Sequence, residues 1–391
     1  MKNIFFIILF LSIMGARRHG EIVTTGAFRG LQAVYLRPEI LTEEATDSYM
    51  AEIRSWGARE VFLEVVYNNR ALNHSKIFPV MDKEKDWFGI FCGKAKKYNL
   101  RIHAWVKVCY WVHKPESISE FPILARHPEW IDLNKGGNMV SSQGNYEDMN
   151  FIFINPAAPE ARETQLAYVR ELCSYDIGGI SLDYIRFKAA GDDPETWYGY
   201  NPYSVNQFKE KTGLNPHAIQ YDLSPGSDFL KWARYNEGIM ENCVRGVAEA
   251  IGEINRKENR NIVLSASPFT GYETGKSPKY QNWKSWDEKG YIGLWMPMCM
   301  SVDMDSLEEE IRGVRNLGLK SPYYPVVYPN QHGALHPPLK DHQEVLEKCG
   351  VEKYAVFSYK QLKQEYEKNP RRGGAAIPPE AGKNKKYKMR N

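Results

Sequence analysis

Two periodicities alternate along this chain. Short runs of β-branched and aromatic residues give way to stretches in which apolar side chains recur every three or four positions. The first kind predicts strands at 31–38 (LQAVYLRP), 59–68 (REVFLEVVYN), 101–108 (RIHAWVKV) and 178–187 (GGISLDYIRF). Four more follow at 261–269, 291–300, 322–329 and 353–360. The second kind predicts helices over 42–57, 86–99, 159–176, 229–255 and 303–318, with Gly57, Gly252 and Gly318 as helix ends. Strands alternating with helices imply parallel βαβ units, and eight of them point to an α/β fold of the (β/α)8 TIM-barrel type. A doubly wound open sheet is the rival, but no GxGxxG turn follows the first strand.

Two connections stand out by length. Residues 109–158 follow strand three and residues 188–228 follow strand four, and both leave the carboxyl ends of their strands. Insertions of this size inside a compact domain are usually functional, and barrel enzymes keep their sites on that face. Strand parity then sorts the side chains. In strand four, Ile180, Leu182 and Tyr184 share one face while Ser181, Asp183 and Ile185 share the other. The bulky apolar set suits the helix layer, so Asp183 should face the lumen. The same rule sends Glu64, then His103, Trp105 and Lys107, then Ser265 and Ser267 inward. A bare carboxylate inside a strand costs several kcal/mol unless it is paired or used. Asp183 paired with Arg186 or Lys107 in a structural network is the plain alternative to chemistry.

The composition, 43% hydrophobic and 25% charged over 391 residues, is that of an ordinary globular protein and adds no class of its own. The ends are more informative. An apolar run from Ile4 to Met14 after a single Lys, followed by Gly15 and Ala16, fits a secretory signal peptide over 1–16 and an exported, periplasmic or extracellular protein. The barrel is expected over 27–368. Residues 369–391 carry Pro, Gly and seven Lys/Arg against one Glu, which predicts a disordered basic tail able to touch anionic surfaces weakly. Nothing in the body suggests nucleic-acid binding. The six cysteines show no CxxC spacing and read as buried thiols.

Neither HxH nor HExxH is present for metal hydrolysis, nor is a GxSxG nucleophile elbow, and no metal or cofactor is expected. Carboxylates and loop aromatics remain, the kit of glycoside cleavage. Trp111, Trp130, Trp197 and Tyr200 are expected as rings for sugar faces.

Several motifs in order carry a resemblance: Arg29-Gly30, VFLEVVYNNRALNHSKIFP at strand two, His103-Ala104-Trp105, HPEW (127–130), INPAAPEAR (154–162), YDIGGISLDYIRF (175–187), SPF (267–269) and MPM (296–298). Over about Arg29 to Tyr359 the chain resembles the glycosyl hydrolase-like 10 proteins of bacteria. The resemblance implies a (β/α)8 fold, export, action on bacterial glycans such as cell-wall strands, and Asp183 as the leading catalytic residue. The chain departs from the family pattern at Ser181, Gly293 and Met300.

The expected site therefore has Asp183 as nucleophile or base, with Glu64 or Asp303 as second carboxylate and Glu273 as a further option. His103, Trp105, Lys107, Trp130, Asn155, Arg186, Trp197 and Ser267 are expected to bind substrate. A carbohydrate-binding barrel without turnover is the alternative, and a lyase a third. Export is checked by mass spectrometry of the protein from its native host. The N-terminus is expected between about Ala16 and Thr25; an intact Met1 on cytoplasmic protein would defeat the expectation.

Overall fold

The computed structural model describes residues 26–67, 69–113, 118–119, 121–140, 151–188, 193–330 and 337–368. The segments expected at 1–16 and 369–391 lie outside the described residues. Eight parallel strands carry the fold: β1 (Leu31–Leu36), β2 (Glu60–Glu64), β3 (Arg101–Lys107), β4 (Gly179–Asp183), β5 (Val263–Ala266), β6 (Leu294–Trp295), β7 (Val326–Val327) and β8 (Tyr354–Phe357). Their order is β6-β5-β4-β3-β2-β1-β8-β7. Bridges Trp295–Tyr323 and Met298–Val326 join the two end strands and curl the sheet into a barrel.

A helix follows each strand: α1 (Glu43–Ser55), α2 (Trp87–Lys97), α3 (Pro159–Cys173), α4 (Asp228–Glu258), α5 (Trp283–Glu288), α6 (Met304–Asn316), α7 (Leu339–Lys348) and α8 (Tyr359–Lys368). Side-chain caps fix several of their starts. Thr42 accepts from the Ala45 amide at 3.1 Å and Asp86 from the Gly89 amide at 3.0 Å. Gly57 and Gly318 lie just past helix ends with positive φ, as expected. Gly252 does not: α4 runs through it to Glu258 and stops at Asn259, which takes the left-handed conformation instead.

Strands six and seven are shorter than their apolar runs suggest. Pro297 and Pro325 have no amide to give a ladder, so regular pairing stops beside them. The last run is cut at Phe357 because Tyr359 already begins α8.

Parity holds within the strands, but past β4, where Tyr184 has a positive φ, Ile185 joins the main core and not the lumen. Val34, Val61, Leu63, Ile102, Ile180 and Leu182 pack outward in the main core with the helices. Tyr35, Phe62, Trp105, Met296 and Val326 form a separate cluster in the lumen. All six cysteines are buried free thiols. No helix among the described residues is long and apolar enough to cross a membrane.

Both long insertions fold on the carboxyl side and interlock. Tyr110–Val112 pairs antiparallel with Ile152–Phe153 in the first, and the second adds a bridge from Tyr198 to Asn134. The Asn201 amide reaches back to the carbonyls of Glu129 and Ile131, each at 2.7 Å. Together the insertions wall the mouth on the β3–β4 side.

One glycine decides whether the lumen can hold its floor. Gly179 on β4 sits opposite His103, and a Cβ there would come within 2.3 Å of His103 Nδ1 and 2.5 Å of the Val263 carbonyl. Gly179→Ala is therefore expected to cost about 3 kcal/mol or more in denaturant unfolding, through overpacking that backbone cannot relieve. Gly93→Ala on the exposed face of α2, where a Cβ meets nothing within 4 Å, should stabilise by about 0.5–1 kcal/mol. Equal effects at the two positions would refute the packing argument.

Candidate active site

Asp183 ends β4 with its side chain in the lumen, as parity requires. Its Oδ2 accepts from the Trp105 indole at 2.9 Å and its Oδ1 from the Tyr184 amide at 2.6 Å. The second bond needs an unusual backbone, since Tyr184 has φ of +51°. A bulky residue in that region is strained, and such strain persists where the surroundings over-determine it. Burial raises the carboxyl above its ordinary value, against the pull of these two donors and of the more distant Arg186 and Lys107. Among the described residues no cation forms an ion pair with it, so the structural pairing with Arg186 or Lys107 is not what the fold builds. Arg186 instead lies over the rings of Tyr184 at 5.0 Å and Phe153 at 5.1 Å.

Glu64 is also in the lumen, but fully buried. One oxygen pairs with the Arg37 Nε and the other lies 2.6 Å from the Lys107 ammonium. Despite burial, the two cations hold Glu64 below the usual carboxylate range. Its charge is committed to these two cations. Lys107 was expected to contact substrate. Its charge is committed to Glu64, with the Tyr110 ring 4.6 Å away.

The remaining expected residues fall in four places. Ser267 joins the site: its hydroxyl is 2.8 Å from the Tyr35 hydroxyl, which itself feels the Asp183 charge. Trp105 joins as well, holding Asp183 while its edge meets Tyr35 at 5.2 Å. His103 lies two positions back along β3, in the floor. Its ring stacks on Phe62 at 4.6 Å and its Nε2 is 3.0 Å from Glu60, which Arg101 also pairs. Trp130 and Trp197 are buried, at 2% and 3% exposure, so they offer no open face to a sugar. Trp130 stacks on His127, and Trp197 packs on Tyr221 and Phe229. With Trp111 and Tyr200, also buried, they are the cores of the insertions. Asn155 is an internal brace, donating to Asp132 at 3.0 Å and accepting from the Ala157 amide at 2.9 Å. Asp303 is exposed and caps α6 through Ser306, which holds it below the usual range. Glu273 is exposed and pairs with Lys276.

Sequence reading missed Tyr35 and Arg37. Both share a face with Ala33, so parity applied to strand one, as it was to strands two to five, would have found them. It also missed the part-exposed rings at strand ends, Tyr67, Phe269, Tyr328 and Phe357, and it sent Tyr184 to the helix layer, since parity carries no sign of the left-handed turn there. As to metals, His127, Glu129 and Glu160 bring ligand atoms within 4.8 Å of one another on the surface. The His127 Nδ1 is already bonded to Glu129 at 2.9 Å, which explains the grouping without an ion.

The brace beneath the insertions has its own titration. Asp132 accepts from Asn155 and from the Gly199 amide at 3.2 Å, yet burial pushes its carboxyl up to about 7. A raised carboxyl binds its proton more tightly in the folded state. Its stabilising share is full below the unfolded value near 3.8 and is lost as pH rises to about 7. Asp132→Asn should remove that slope and make the variant more stable than wild type above pH 7, by roughly 4 kcal/mol. Denaturant melts of both proteins from pH 4 to 8 check this; parallel curves would show that Asp132 stays ionised throughout.

This geometry has relatives. The structure resembles α-L-fucosidase isoenzyme 2 from Paenibacillus thiaminolyticus, with a TM-score of 0.59 and 13% identity over 87% of this chain and 49% of that one. It resembles the β-galactosidase of the Antarctic haloarchaeon Halorubrum lacusprofundi equally, at 0.59 and 12% over 84% and 52%. The catalytic domain of a Paenibacillus polymyxa β-amylase follows at 0.53 and 12%, over 85% of this chain and 94% of that domain. The chain thus spans about half the length of the first two, and at these identities the likeness establishes the barrel fold. No curated protein matches it in sequence. The glycosyl hydrolase-like 10 profile matches residues 42–302, from α1 to the loop after β6, and the chain belongs to the glycosyl hydrolase-like 10 family.

Proposed function

We propose that this protein is an exported hydrolase of glycosidic bonds in a polysaccharide, cell-wall glycan among the substrates to try, with Asp183 as its reacting carboxyl. The observation that carries the reading is the state of Asp183. It is a lumen carboxyl at the enzyme face of the barrel, gripped by two neutral donors and held toward its protonated form by burial. In glycoside cleavage the carboxyl with the raised pKa protonates the departing oxygen. The structure therefore favours the acid role over the nucleophile or base role expected from sequence. The Trp105 indole and Tyr184 amide fix its orientation, so that little reorganisation is needed at the moment of transfer. Tyr35 and Ser267 bond to one another and support the wall beside it. The family and the glycosidase barrels it resembles support a carbohydrate substrate.

A specific observation also favours a second reading. The Glu64 carboxylate is buried and committed to two cations, which speaks against its serving as the partner carboxylate of the usual pair. Among the described lumen residues Asp183 then acts alone, which suits a carbohydrate-binding barrel without turnover.

Asp183→Asn separates the readings. The amide keeps the shape but cannot give a proton, and release of reducing ends from the responsive glycan should fall by about 10²–10⁴-fold. Stability should stay near wild type. An amide cannot accept from both donors, which costs about 1 kcal/mol, and losing a carboxyl that burial disfavours offsets this. Full activity in the variant would end the hydrolase assignment for Asp183. Glycan binding by a wild type that releases no reducing ends would establish the binding barrel.

A further inference from the structure

Arg37 follows β1 at the rim of the mouth, and its side chain is 44% exposed. Its Nε is spent on Glu64, while neither terminal nitrogen donates to any described residue. The guanidinium lies 5.5 Å from the Tyr67 ring and 5.7 Å from the Trp105 ring. Anchored at one edge and flanked by two rings, it keeps a two-pronged set of donors facing the opening. The local charge has the same sense. Arg37 and Lys107 share a single carboxylate, Glu64, which leaves one positive charge over.

A planar fork of this kind matches a carboxylate in bidentate fashion, and the bond from Nε to the buried Glu64 fixes which edge faces inward. A purely neutral sugar would leave that surplus charge without a counterpart in a closed complex, which is costly. We infer that Arg37 is a specificity-determining residue and that the glycan taken by this barrel is acidic, with the carboxylate of a sugar unit seated on the Arg37 guanidinium beside the part-exposed Tyr67 ring. The inference rests on the proposed glycan site and names its substrate class. Trp105 links the two ends of the arrangement, since the same indole that holds Asp183 lies beside the Arg37 guanidinium. The carboxylated unit is thereby placed next to the bond presented to Asp183.

The test is binding by calorimetry to full-length Asp183→Asn protein, which holds glycans without cleaving them. The probes are polygalacturonate, hyaluronan and peptide-free peptidoglycan strands, each paired with its carboxyl-reduced neutral form. At least one acidic glycan should bind about tenfold or more tightly than its reduced partner, the range expected for a charge-assisted bidentate contact. That margin should shrink with added salt and fall to about twofold or less in Arg37→Gln. Arg37→Gln leaves Glu64 only one cation and so risks the fold, whereas Arg37→Lys keeps a charge there. With its melting temperature near wild type, Arg37→Lys should lose most of the margin because an ammonium cannot fork. The inference is overturned if no acidic glycan outbinds its reduced form, or if the margin survives in both Arg37 variants. Its failure is distinct from that of the hydrolase reading. Reducing-end release from a neutral glycan, with no acid preference, sinks this inference alone. Acid-selective binding by a wild type that releases none sinks the hydrolase reading alone.

Discussion

The two ion pairs of Glu64 organise the mouth of this barrel. A carboxylate with no exposed surface is stable as an anion only because β1 and β3 each send it a cation, Arg37 and Lys107. Burying the group costs several kcal/mol and removing one partner from such a pair costs about 3–5 kcal/mol, so the three strands are tied at this point. The tie has directional consequences. It pulls the Lys107 ammonium toward β2 and away from Asp183, its register partner on β4. It also pins one edge of Arg37 and leaves the other facing outward. Both the environment of Asp183 and the open fork at the rim follow from where Glu64 sits.

Asp183 is held by a different means. Its two donors are neutral, an indole and a backbone amide. Hydrogen bonds of that kind contribute about 0.5–1.5 kcal/mol each, less than charged donors, and do not outweigh the burial of a charge. The raised carboxyl is thus a product of geometry. The left-handed turn at Tyr184 brings the amide onto Oδ1, and the Trp105 ring is wedged by Tyr35 and Phe357 so that its N–H points at Oδ2. Strain and packing are both spent on orienting one group, which is the pattern of sites arranged for a reaction and not for rest.

Much of this was legible in the sequence, and the failures have identifiable causes. Period-two runs located all eight strands, and parity placed Glu64, Trp105, Lys107, Asp183 and Ser267 in the lumen, because one face of each strand must meet the helix layer. Parity says which way a side chain points but not how far along the barrel it lies. His103 shares a face with Lys107 yet belongs to the floor with Phe62 and Glu60. Nor does it say which of several cations a carboxylate takes, so the partition of Lys107 to Glu64 was not visible. The aromatic insertions misled for a physical reason. Chain segments of that length need cores of their own, and Trp111, Trp130, Trp197 and Tyr200 provide them before any ring is left for a ligand. Asp303 was misplaced because an Asp two or three residues past a strand is as well suited to capping the next helix.

The lumen charges follow one arrangement at both depths. β2 contributes carboxylates at Glu60 and Glu64, two pleat repeats apart on the same face, and β3 answers with Arg101 and His103 below and Lys107 above. Each carboxylate of β2 is thereby matched by charge from its neighbour strand, and Arg37 adds a second cation to the upper one. β4 adds Asp183 to the same inward face without adding a cation, since its other inward residues are Gly179 and Ser181. Two carboxylates then stand on either side of Lys107, and the ammonium sits 2.6 Å from one of them. A structural network would have divided that cation or supplied another, because a lone buried carboxylate is destabilising. The fold instead satisfies Glu64 twice over and leaves Asp183 with neutral donors only. That imbalance separates two chemically similar groups: paired cations lower the carboxyl of Glu64, while burial raises that of Asp183.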